Sequence, residues 1–245
     1  MATLGSRVYD DPDFFDQYIS KRARPATPNS LLEKPVIDEL IGSVSGLNIL
    51  DIGCGDGRYG AELMQKGAVH YTGIDSSTRM IQRAASLHQE PAMTFEVEMV
   101  EGYVYPTASF DLVLSRLVLH YVADLQSVFQ QIYQSLRPGG RFVASVEHPV
   151  ITSCYEAYHQ PGKRQDWIVD RYFEPGPRKN QWLGQEVIKY HLPLEQYLQQ
   201  LNDVGFRLLH VRESAPRPEL FADQQEYARR RRIPLFLMWE VQKPN

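Results

Sequence analysis

The residues with the clearest chemical pattern form a glycine-rich turn that follows a short apolar run. The run 49–52 is typical of a buried strand, and Gly53, Gly55 and Gly57 come directly after it. Glycines at these positions let the backbone turn sharply and approach a ligand too closely for any Cβ. A helix beginning near Arg58 would direct its unpaired N–H groups and the positive end of its dipole at the same place. The spacing therefore predicts a nucleotide-binding turn.

Two carboxylates narrow the choice of nucleotide. Asp51 lies before the first glycine, where it would repel a pyrophosphate and attract a cationic group. Asp75 ends the apolar run 69–74, eighteen residues after Gly57, and this spacing suits hydrogen bonds to ribose hydroxyls. The pair fits a nucleoside with an ammonium and a sulfonium, which describes S-adenosylmethionine better than NAD. The turn also satisfies the G-x-G-x-x-G pattern, so an NAD-dependent oxidoreductase is the alternative, with a non-catalytic S-adenosylmethionine-binding protein as a third hypothesis.

The elements that must position this turn alternate along the chain. We predict strands at 47–51, 69–74, 93–98, 110–114 and 140–147, and helices near 58–66, 77–88 and 124–136. Such alternation implies right-handed crossovers and a parallel sheet covered on both faces. Ligands of these sheets bind at the carboxyl ends of the strands, where Asp51, Asp75, Met99 and Ser115 are expected to emerge.

The two ends of the chain add further elements. An amphipathic helix is expected within residues 9–24, before Pro25, and a capping box formed by Ser30 and Glu33 is expected to open a second helix. Towards the carboxyl terminus we predict a helix at 193–202 and strands at 206–212 and 235–241.

The motifs of this chain resemble those of the class I S-adenosylmethionine-dependent methyltransferases. They are Asp51-Ile-Gly53-Cys-Gly55-Asp-Gly57, Gly73-Ile-Asp75, Ser109-Phe110-Asp111-Leu-Val-Leu, Leu119-His120-Tyr121-Val122 and Leu136-Arg137-Pro138-Gly139-Gly140. The resemblance implies an α/β fold with a doubly wound, mostly parallel, seven-stranded Rossmann-like sheet. Helices cover both faces, an N-terminal helical lid precedes the sheet, and an insertion follows strand 5.

We expect one methyltransferase domain over residues 1–245. Its parts are an N-terminal lid (1–45), a cofactor-binding core (46–147), an acceptor-covering insertion (148–191), and a last helix with two strands (192–245). The implied cofactor is S-adenosylmethionine, with S-adenosylhomocysteine as product.

Adenine recognition departs from the pattern of the resembling family. Many members have an Asp after the third strand, whereas this chain has Met99, followed by Val100 and Glu101, so backbone groups or Glu101 are expected to substitute. The predicted cofactor-binding residues are Tyr18, Arg22, Asp51, Gly53, Gly55, Gly57, Asp75, Ser76, Met80, Met99, Val100, Glu101 and Ser115.

The segment 148–191 interrupts the alternation and is rich in aromatic residues. Its six Lys/Arg and five Asp/Glu balance, which argues against nucleic-acid binding. We predict that it covers an acceptor pocket, although a surface flap with a small core of its own is the alternative. The predicted acceptor is a small aromatic or heteroaromatic molecule with an N, O or C nucleophile. The predicted acceptor-binding residues are Tyr9, Asn29, Trp167, Tyr172 and Trp182.

Three histidines are candidate general bases, because an imidazole pKa near 6.5 suits proton transfer at neutral pH. His148 and His191 lie at the two ends of the insertion, and His120 follows the fourth strand. Glu147-His148-Pro149, with Trp167, Trp182 and Lys189-Tyr190-His191, also resembles a bacterial subgroup of small-molecule methyltransferases. No metal-ligand spacing is visible, so we predict no metal.

The composition limits the possible partners and compartments. No apolar run approaches the roughly 18 residues of a membrane span, and a net charge of −4 gives no general attraction to nucleic acid or anionic membranes. Cys54 and Cys154 are expected to be free thiols. Since the first residues lack a secretory pattern, we expect a cytoplasmic monomer or homodimer that acts on a small molecule, without nucleic-acid or membrane partners.

Overall fold

The computed structural model describes residues 5–22, 24, 26–154 and 166–245. Its strands are β1 (Asn48–Ile52), β2 (His70–Asp75), β3 (Met93–Val97), β4 (Phe110–Arg116), β5 (Leu136–Glu147), β6 (Gly176–Trp182), β7 (Gln185–His191), β8 (Arg207–Glu213) and β9 (Phe236–Gln242). Its α-helices are α1 (Pro12–Arg22), α2 (Lys34–Ile41), α3 (Arg58–Gln65), α4 (Thr78–Leu87), α5 (Leu125–Ser135), α6 (Pro149–Thr152), α7 (Leu194–Val204) and α8 (Gln224–Arg230).

A seven-stranded sheet organises the chain, with the strand order β3-β2-β1-β4-β5-β9-β8. The first five strands pair in parallel, whereas β9 pairs antiparallel with both β5 and β8. The strand order reverses direction between β1 and β4, so the carboxyl ends of these strands frame a crevice. The predicted doubly wound, mostly parallel sheet is confirmed.

Two apolar cores cover the two faces of the sheet, because successive side chains of a strand point to opposite faces. In β1, Leu50 belongs to the core that contains α5 and α7, and Ile49 belongs to the core that contains α2 and α3. Both side chains are fully buried. Burying a side chain of this size contributes about 1.5–3 kcal/mol. The apolar run that predicted β1 is therefore explained by burial on both faces.

One predicted boundary is wrong. The helix expected over 124–136 ends at Ser135, and β5 begins at Leu136 instead of residue 140. Leu136 already pairs with Phe110, and the register then shifts before Leu112 pairs with Arg141. The Pro-Gly-Gly stretch thus lies in an irregularity within the strand, not in the loop before it.

The capping box predicted at Ser30 is also wrong. A π-helical turn over Asn29–Glu33 precedes α2 and has no side-chain cap. The Ser30 hydroxyl instead accepts a hydrogen bond from the Thr27 N–H at 2.9 Å. The Glu33 carboxylate is fully buried and takes part in an ion pair described below.

The insertion after β5 contains a regular element that the sequence pattern did not predict. β6 and β7 form an antiparallel hairpin, with Trp182 opposite Gln185 across the turn. Leu183 and Gly184 occupy the turn with φ of +49° and +81°. Residues 155–165, including the expected aromatics Tyr155 and Tyr158, lie outside the described residues. In the described part of the chain, no helix combines the length and apolar character needed to cross a bilayer.

Candidate active site

The glycine turn after β1 has the backbone that the sequence predicts. Gly53 and Gly55 have φ of +75° and +58°, a left-handed conformation that side chains rarely adopt. The N–H of Gly53 donates to the Ile74 carbonyl at 2.7 Å, which fixes the turn to β2. A Cβ on Gly53 would lie 2.1 Å from a methyl carbon of Val118. The first glycine is therefore required both by its backbone angle and by its neighbour.

Two carboxylates lie beside this turn. The buried Asp51 accepts a hydrogen bond from the Tyr71 hydroxyl at 2.7 Å through one oxygen. Its other oxygen is buried and has no hydrogen-bond partner among the described residues. Burial raises the pKa of Asp51, although the Tyr71 hydrogen bond opposes this effect. An unpartnered buried carboxylate oxygen is costly unless a ligand donates to it, so this atom indicates a binding site for a cationic donor.

Asp75, at the end of β2, is held by two backbone groups. Its oxygens accept hydrogen bonds from the N–H of Gly55 at 3.0 Å and from the N–H of Ser77 at 2.9 Å. Burial raises the pKa of Asp75 to about 6, against the opposing effect of these two hydrogen bonds. The same carboxylate therefore braces the glycine turn and lines the adjoining cavity.

One cavity of about 530 Å³ adjoins the carboxyl ends of β1, β2 and β4. It brings together most of the residues predicted to bind cofactor or acceptor, which the sequence spreads over more than 170 positions. Those in its lining are Tyr9, Tyr18, Arg22, Asn29, Asp51, Gly53, Gly55, Asp75, Ser76, Met80, Met99, Val100, Glu101, His120 and Trp182. We call Asp51, Gly53, Gly55 and Asp75 the glycine-turn end of this cavity.

Six predicted site residues do not line the cavity: Gly57, Ser115, His148, His191, Trp167 and Tyr172. Gly57 is the residue before α3 and has a φ of +71°. The Ser115 hydroxyl is buried in β4, where it has no hydrogen-bond partner among the described residues. The Trp167 ring lies 5.6 Å from the guanidinium of Arg232. The Tyr172 hydroxyl accepts a hydrogen bond from the N–H of Leu194 at 3.2 Å.

His148 joins the start of the insertion to β8, and His191 joins segments within the insertion. His148 Nε2 lies 2.9 Å from the Glu213 carboxylate, and its Nδ1 accepts a hydrogen bond from the N–H of Val150. His191 Nδ1 lies 2.7 Å from the Thr152 hydroxyl, and its Nε2 donates to the Tyr172 carbonyl. Burial lowers the pKa of both histidines, against the opposing effects of Glu213 and of the Tyr172 hydrogen bond. Both nitrogens of each imidazole therefore already have a hydrogen-bond partner.

His120 is the predicted histidine that does line the cavity. Its Nδ1 accepts a hydrogen bond from the backbone N–H of Glu147 at 3.3 Å. Burial lowers its pKa to about 3, although the neighbouring Glu147 carboxylate opposes this effect. The ring is therefore neutral at pH 7 and carries its proton on Nε2, so it presents a donor.

The cavity also contains two ion pairs that the sequence analysis missed. In the first, the fully buried Glu33 pairs with Arg116 at the end of β4 and accepts a hydrogen bond from the Ser145 hydroxyl at 2.8 Å. The Arg116 guanidinium also lies 4.1 Å from the centre of the Tyr59 ring. Arg116 is the last residue of β4, and a charge at the end of this apolar strand was the available signal.

The second ion pair joins Lys189 of β7 to Glu147 at the end of β5, at 2.5 Å. The ammonium lies 5.5 Å from the centre of the Tyr121 ring and 5.2 Å from that of Trp182. Burial opposes the charge of Lys189, but the Glu147 carboxylate and the Tyr121 hydroxyl outweigh it and raise the pKa of Lys189. Lys189 therefore remains a cation inside an aromatic enclosure.

Aromatic rings from three separate segments form the other side of the cavity. Tyr9 precedes α1, Tyr18 lies on α1, and Trp182 ends β6; their ring centres are 4.9 to 6.0 Å apart in edge-to-face contacts. Such pairs contribute about 0.5–1.5 kcal/mol beyond the burial of their area. We call Tyr9, Tyr18, Tyr121, Trp182 and Lys189 the aromatic end of the cavity.

The described part of the chain contains no cluster of three or more His, Cys, Asp or Glu side chains arranged to hold a metal ion. Cys54 and Cys154 are both free thiols.

Comparison with known proteins identifies the family. Residues 50–144 match the model of a methyltransferase domain. The crystal structure of an S-adenosylmethionine-dependent methyltransferase from Mesorhizobium loti is 33% identical, covers 89% of this chain and 98% of its own, and superposes with a TM-score of 0.79. A structure from Listeria monocytogenes, assigned to the same class, is 32% identical and covers 87% of this chain and 97% of its own, with a TM-score of 0.80.

A curated relative from Haemophilus influenzae, itself uncharacterized, is 27% identical over 231 residues. The match covers 90% of this chain and 89% of that protein. The similarity therefore extends well beyond the glycine motif. With the observed strand order and the glycine turn, these matches show that the chain belongs to the class I S-adenosylmethionine-dependent methyltransferases.

Proposed function

We propose that this methyltransferase transfers the methyl group of S-adenosylmethionine to a small aromatic or heteroaromatic molecule. The observation that carries the proposal is the division of one cavity between a glycine-turn end and an aromatic end. Flat rings favour aromatic partners through edge-to-face or offset contacts. The family membership removes the oxidoreductase alternative, since the chain belongs to a family whose cofactor is S-adenosylmethionine.

The residues at the glycine-turn end, together with Arg22 of α1, fit the donor. The unpartnered oxygen of Asp51 is suited to the ammonium of the methionine part. Arg22 is suited to its carboxylate, because the guanidinium lies over the turn, with one nitrogen 3.1 Å from the position of a Cβ on Gly55. Asp75 is suited to the ribose hydroxyls.

The adenine would rest on apolar side chains. Met80, Met99 and Val100 line the cavity beyond Asp75, together with Glu98 and Glu101. The backbone N–H of Met99 donates to the Glu98 carboxylate at 3.1 Å, which holds this loop. We propose that stacking on the apolar side chains, with a polar contact from Glu101 or the backbone, replaces the acidic residue that many family members use.

The bound cofactor supplies an electrophilic methyl group on a sulfonium. The chain orients the acceptor and excludes water, and positioning of this kind can contribute on the order of 7–11 kcal/mol. Electron-rich ring faces at the aromatic end add about 0.5–2 kcal/mol to the binding of a neighbouring cation.

The proposed reaction needs little proton transfer from the protein. His120 presents an N–H to the cavity and would orient an acceptor oxygen or nitrogen by donating to it. The general-base roles of His148 and His191 stay predictions, and each would require the loss of a hydrogen bond to Glu213 or Thr152. An amine with a free lone pair, or an acceptor that is already anionic, needs no base.

The test combines cofactor binding with acceptor turnover. Isothermal titration should give micromolar binding of S-adenosylmethionine and S-adenosylhomocysteine and no binding of NADH. The purified enzyme is then incubated with S-adenosylmethionine and a panel of aromatic amines, phenols, indoles and aromatic acids, and mass spectrometry measures the gain of one methyl group. Cofactor binding without turnover of any panel member, but with turnover of aliphatic amines or sterols, would reject the proposed acceptor class.

A further inference from the structure

A second lysine lies at the aromatic end, at the rim of the cavity. Lys21, in the last turn of α1, lines the cavity, and its ammonium lies 5.7 Å from the centre of the Trp182 ring. The Lys189 ammonium lies 5.2 Å from the centre of the same ring. One indole therefore contacts two cations, which reach it from a helix and from the hairpin.

The two lysines differ in whether a carboxylate neutralises their charge. Lys189 pairs with the Glu147 carboxylate at 2.5 Å, and its side chain is almost fully buried. Lys21 has no carboxylate partner among the described residues. The pKa of Lys21 is lowered by partial burial first, and then by the positive charges of Arg24 and Lys189. The described residues therefore supply no ion pair for the Lys21 ammonium.

The remaining charges of the cavity do not supply this anion. Asp51 and Asp75 belong to the glycine-turn end, and Glu33 is already paired with Arg116. Glu98 and Glu101 lie at the proposed adenine site. An anionic group placed beside Trp182 would thus lie near two ammoniums, of which only that of Lys189 has a carboxylate partner among the described residues.

We infer that the methyl acceptor carries an anionic group, a carboxylate or a phosphate monoester, which binds between Lys21 and Lys189 beside Trp182. This inference rests on the proposed function, because it assigns the acceptor to the aromatic end. The two lysines would fix the anion, and the ring of the acceptor would contact Trp182 and Tyr18. A charge-assisted hydrogen bond from each ammonium would give the preference over an uncharged analogue.

The test measures the binding of matched pairs of probes to protein saturated with S-adenosylhomocysteine. The carboxylate arm compares salicylate with salicylamide and anthranilate with anthranilamide, and the phosphate arm compares phenyl phosphate with phenol. We expect at least one anion to bind about tenfold more tightly than its uncharged analogue. The arm with the larger preference identifies the anionic group.

Three variants test whether the anion preference comes from a direct contact with Lys21 or from the overall positive charge near the end of α1. Lys21→Gln should abolish most of the anion preference, and Lys21→Arg should retain it, with the affinity for S-adenosylhomocysteine unchanged in both. Arg24→Gln is the matched control. It also removes one positive charge near the end of α1, but Arg24 does not line the cavity. Its anion preference should stay within about twofold of wild type.

Two results would overturn the inference. One is a panel in which no anion binds more tightly than its uncharged analogue. The other is an equal loss of preference in Lys21→Gln and Arg24→Gln. Failure of the wild-type protein to bind S-adenosylhomocysteine would instead reject the proposed function, and the first titration of the series shows this directly.

Discussion

The two ends of the cavity are built in different ways. The glycine-turn end consists of backbone and of carboxylates that lie within one stretch of the chain, from Asp51 to Asp75. Its groups are fixed by hydrogen bonds to the adjoining strand or within the turns, such as the 2.7 Å hydrogen bond from the Gly53 N–H to the Ile74 carbonyl. Its geometry therefore depends on the sheet and very little on the rest of the cavity.

The aromatic end consists of side chains from three parts of the chain that are distant in sequence. Tyr9 and Tyr18 come from the N-terminal elements, Tyr121 from the loop after β4, and Trp182 and Lys189 from the hairpin. Their mutual contacts hold them, together with the buried Phe14 and Val187 beneath. Binding of the donor and shaping of the acceptor site should therefore be separable by mutation.

The largest effect is expected at the glycine-turn end, from Asp51→Asn. The amide can still accept from Tyr71, but its other group would then present an N–H to the ammonium of the ligand. We expect the affinity for S-adenosylhomocysteine to fall about hundredfold, or about 3 kcal/mol, by isothermal titration. Ser115→Ala is the control, because this serine is buried at the end of the next strand without lining the cavity, and it should change the affinity less than twofold. An Asp51→Asn protein within about fivefold of wild type would contradict the assigned role of this carboxylate.

Replacing a glycine of the turn with alanine should destabilise the fold. Gly53→Ala combines a φ of +75° with a Cβ 2.1 Å from Val118, and we expect about 3 kcal/mol of lost unfolding free energy in urea. Gly46 has a φ of +80° but open space around its Cβ position, so Gly46→Ala should cost only about 1 kcal/mol. Equal losses in the two variants would mean that the contact with Val118 does not constrain the turn.

Truncation of a side chain at the aromatic end should lower the stability of the fold without changing the affinity for the cofactor. Trp182→Ala removes a ring that contacts Tyr9, Phe14 and Tyr18, so we expect a loss of about 2 kcal/mol in the free energy of unfolding. The affinity for S-adenosylhomocysteine should stay within about twofold of wild type. Trp167→Ala, at a ring outside the cavity, should cost less than about 1 kcal/mol. Loss of cofactor binding in folded Trp182→Ala protein would show that the two ends are coupled.

The smallest predicted effect is a pH dependence at the glycine-turn end. The pKa of Asp75 is about 6, so the carboxylate gains a proton as the pH falls from 7 to 5 and becomes a weaker acceptor for ribose hydroxyls. Titrations over this range should show an affinity loss of about threefold to tenfold. Asp75→Asn should remove the dependence, and an unchanged slope in that variant would assign the titration to another group.

The same carboxyl group should affect stability in the opposite direction. Its pKa in the folded protein lies above that of an unfolded chain, so its ionised form destabilises the fold at pH 7. This contribution declines as the pH falls through 6 towards 4 and is absent below about 3, where the carboxyl group is protonated in both the folded and the unfolded chain. Stability and cofactor affinity would therefore respond to pH with opposite signs in this range.

The sequence predicted the glycine-turn end well because its information is local. A glycine that needs positive φ, an acid at the end of an apolar run and the alternation of strands and helices all leave signals within a few residues. The wrong predictions have local reasons as well. Ser30 and Glu33 satisfied a capping pattern, but Glu33 is buried against Arg116 and Ser145, and no short-range pattern indicates such a long-range ion pair.

The sequence by itself determined the family, the sheet, the donor and the position of Asp51 and Asp75, because these depend on backbone conformation and on burial periodicity. Only the tertiary structure decided which side chains line the aromatic end of the cavity. It brought Lys21, Tyr121 and Lys189 into the cavity, and it engaged His148 and His191 in hydrogen bonds elsewhere. The physical reason is that side-chain burial and ion pairing depend on packing between segments tens of residues apart, such as those of Glu147 and Lys189, and the spacing of residues along the sequence does not reveal which way their side chains point.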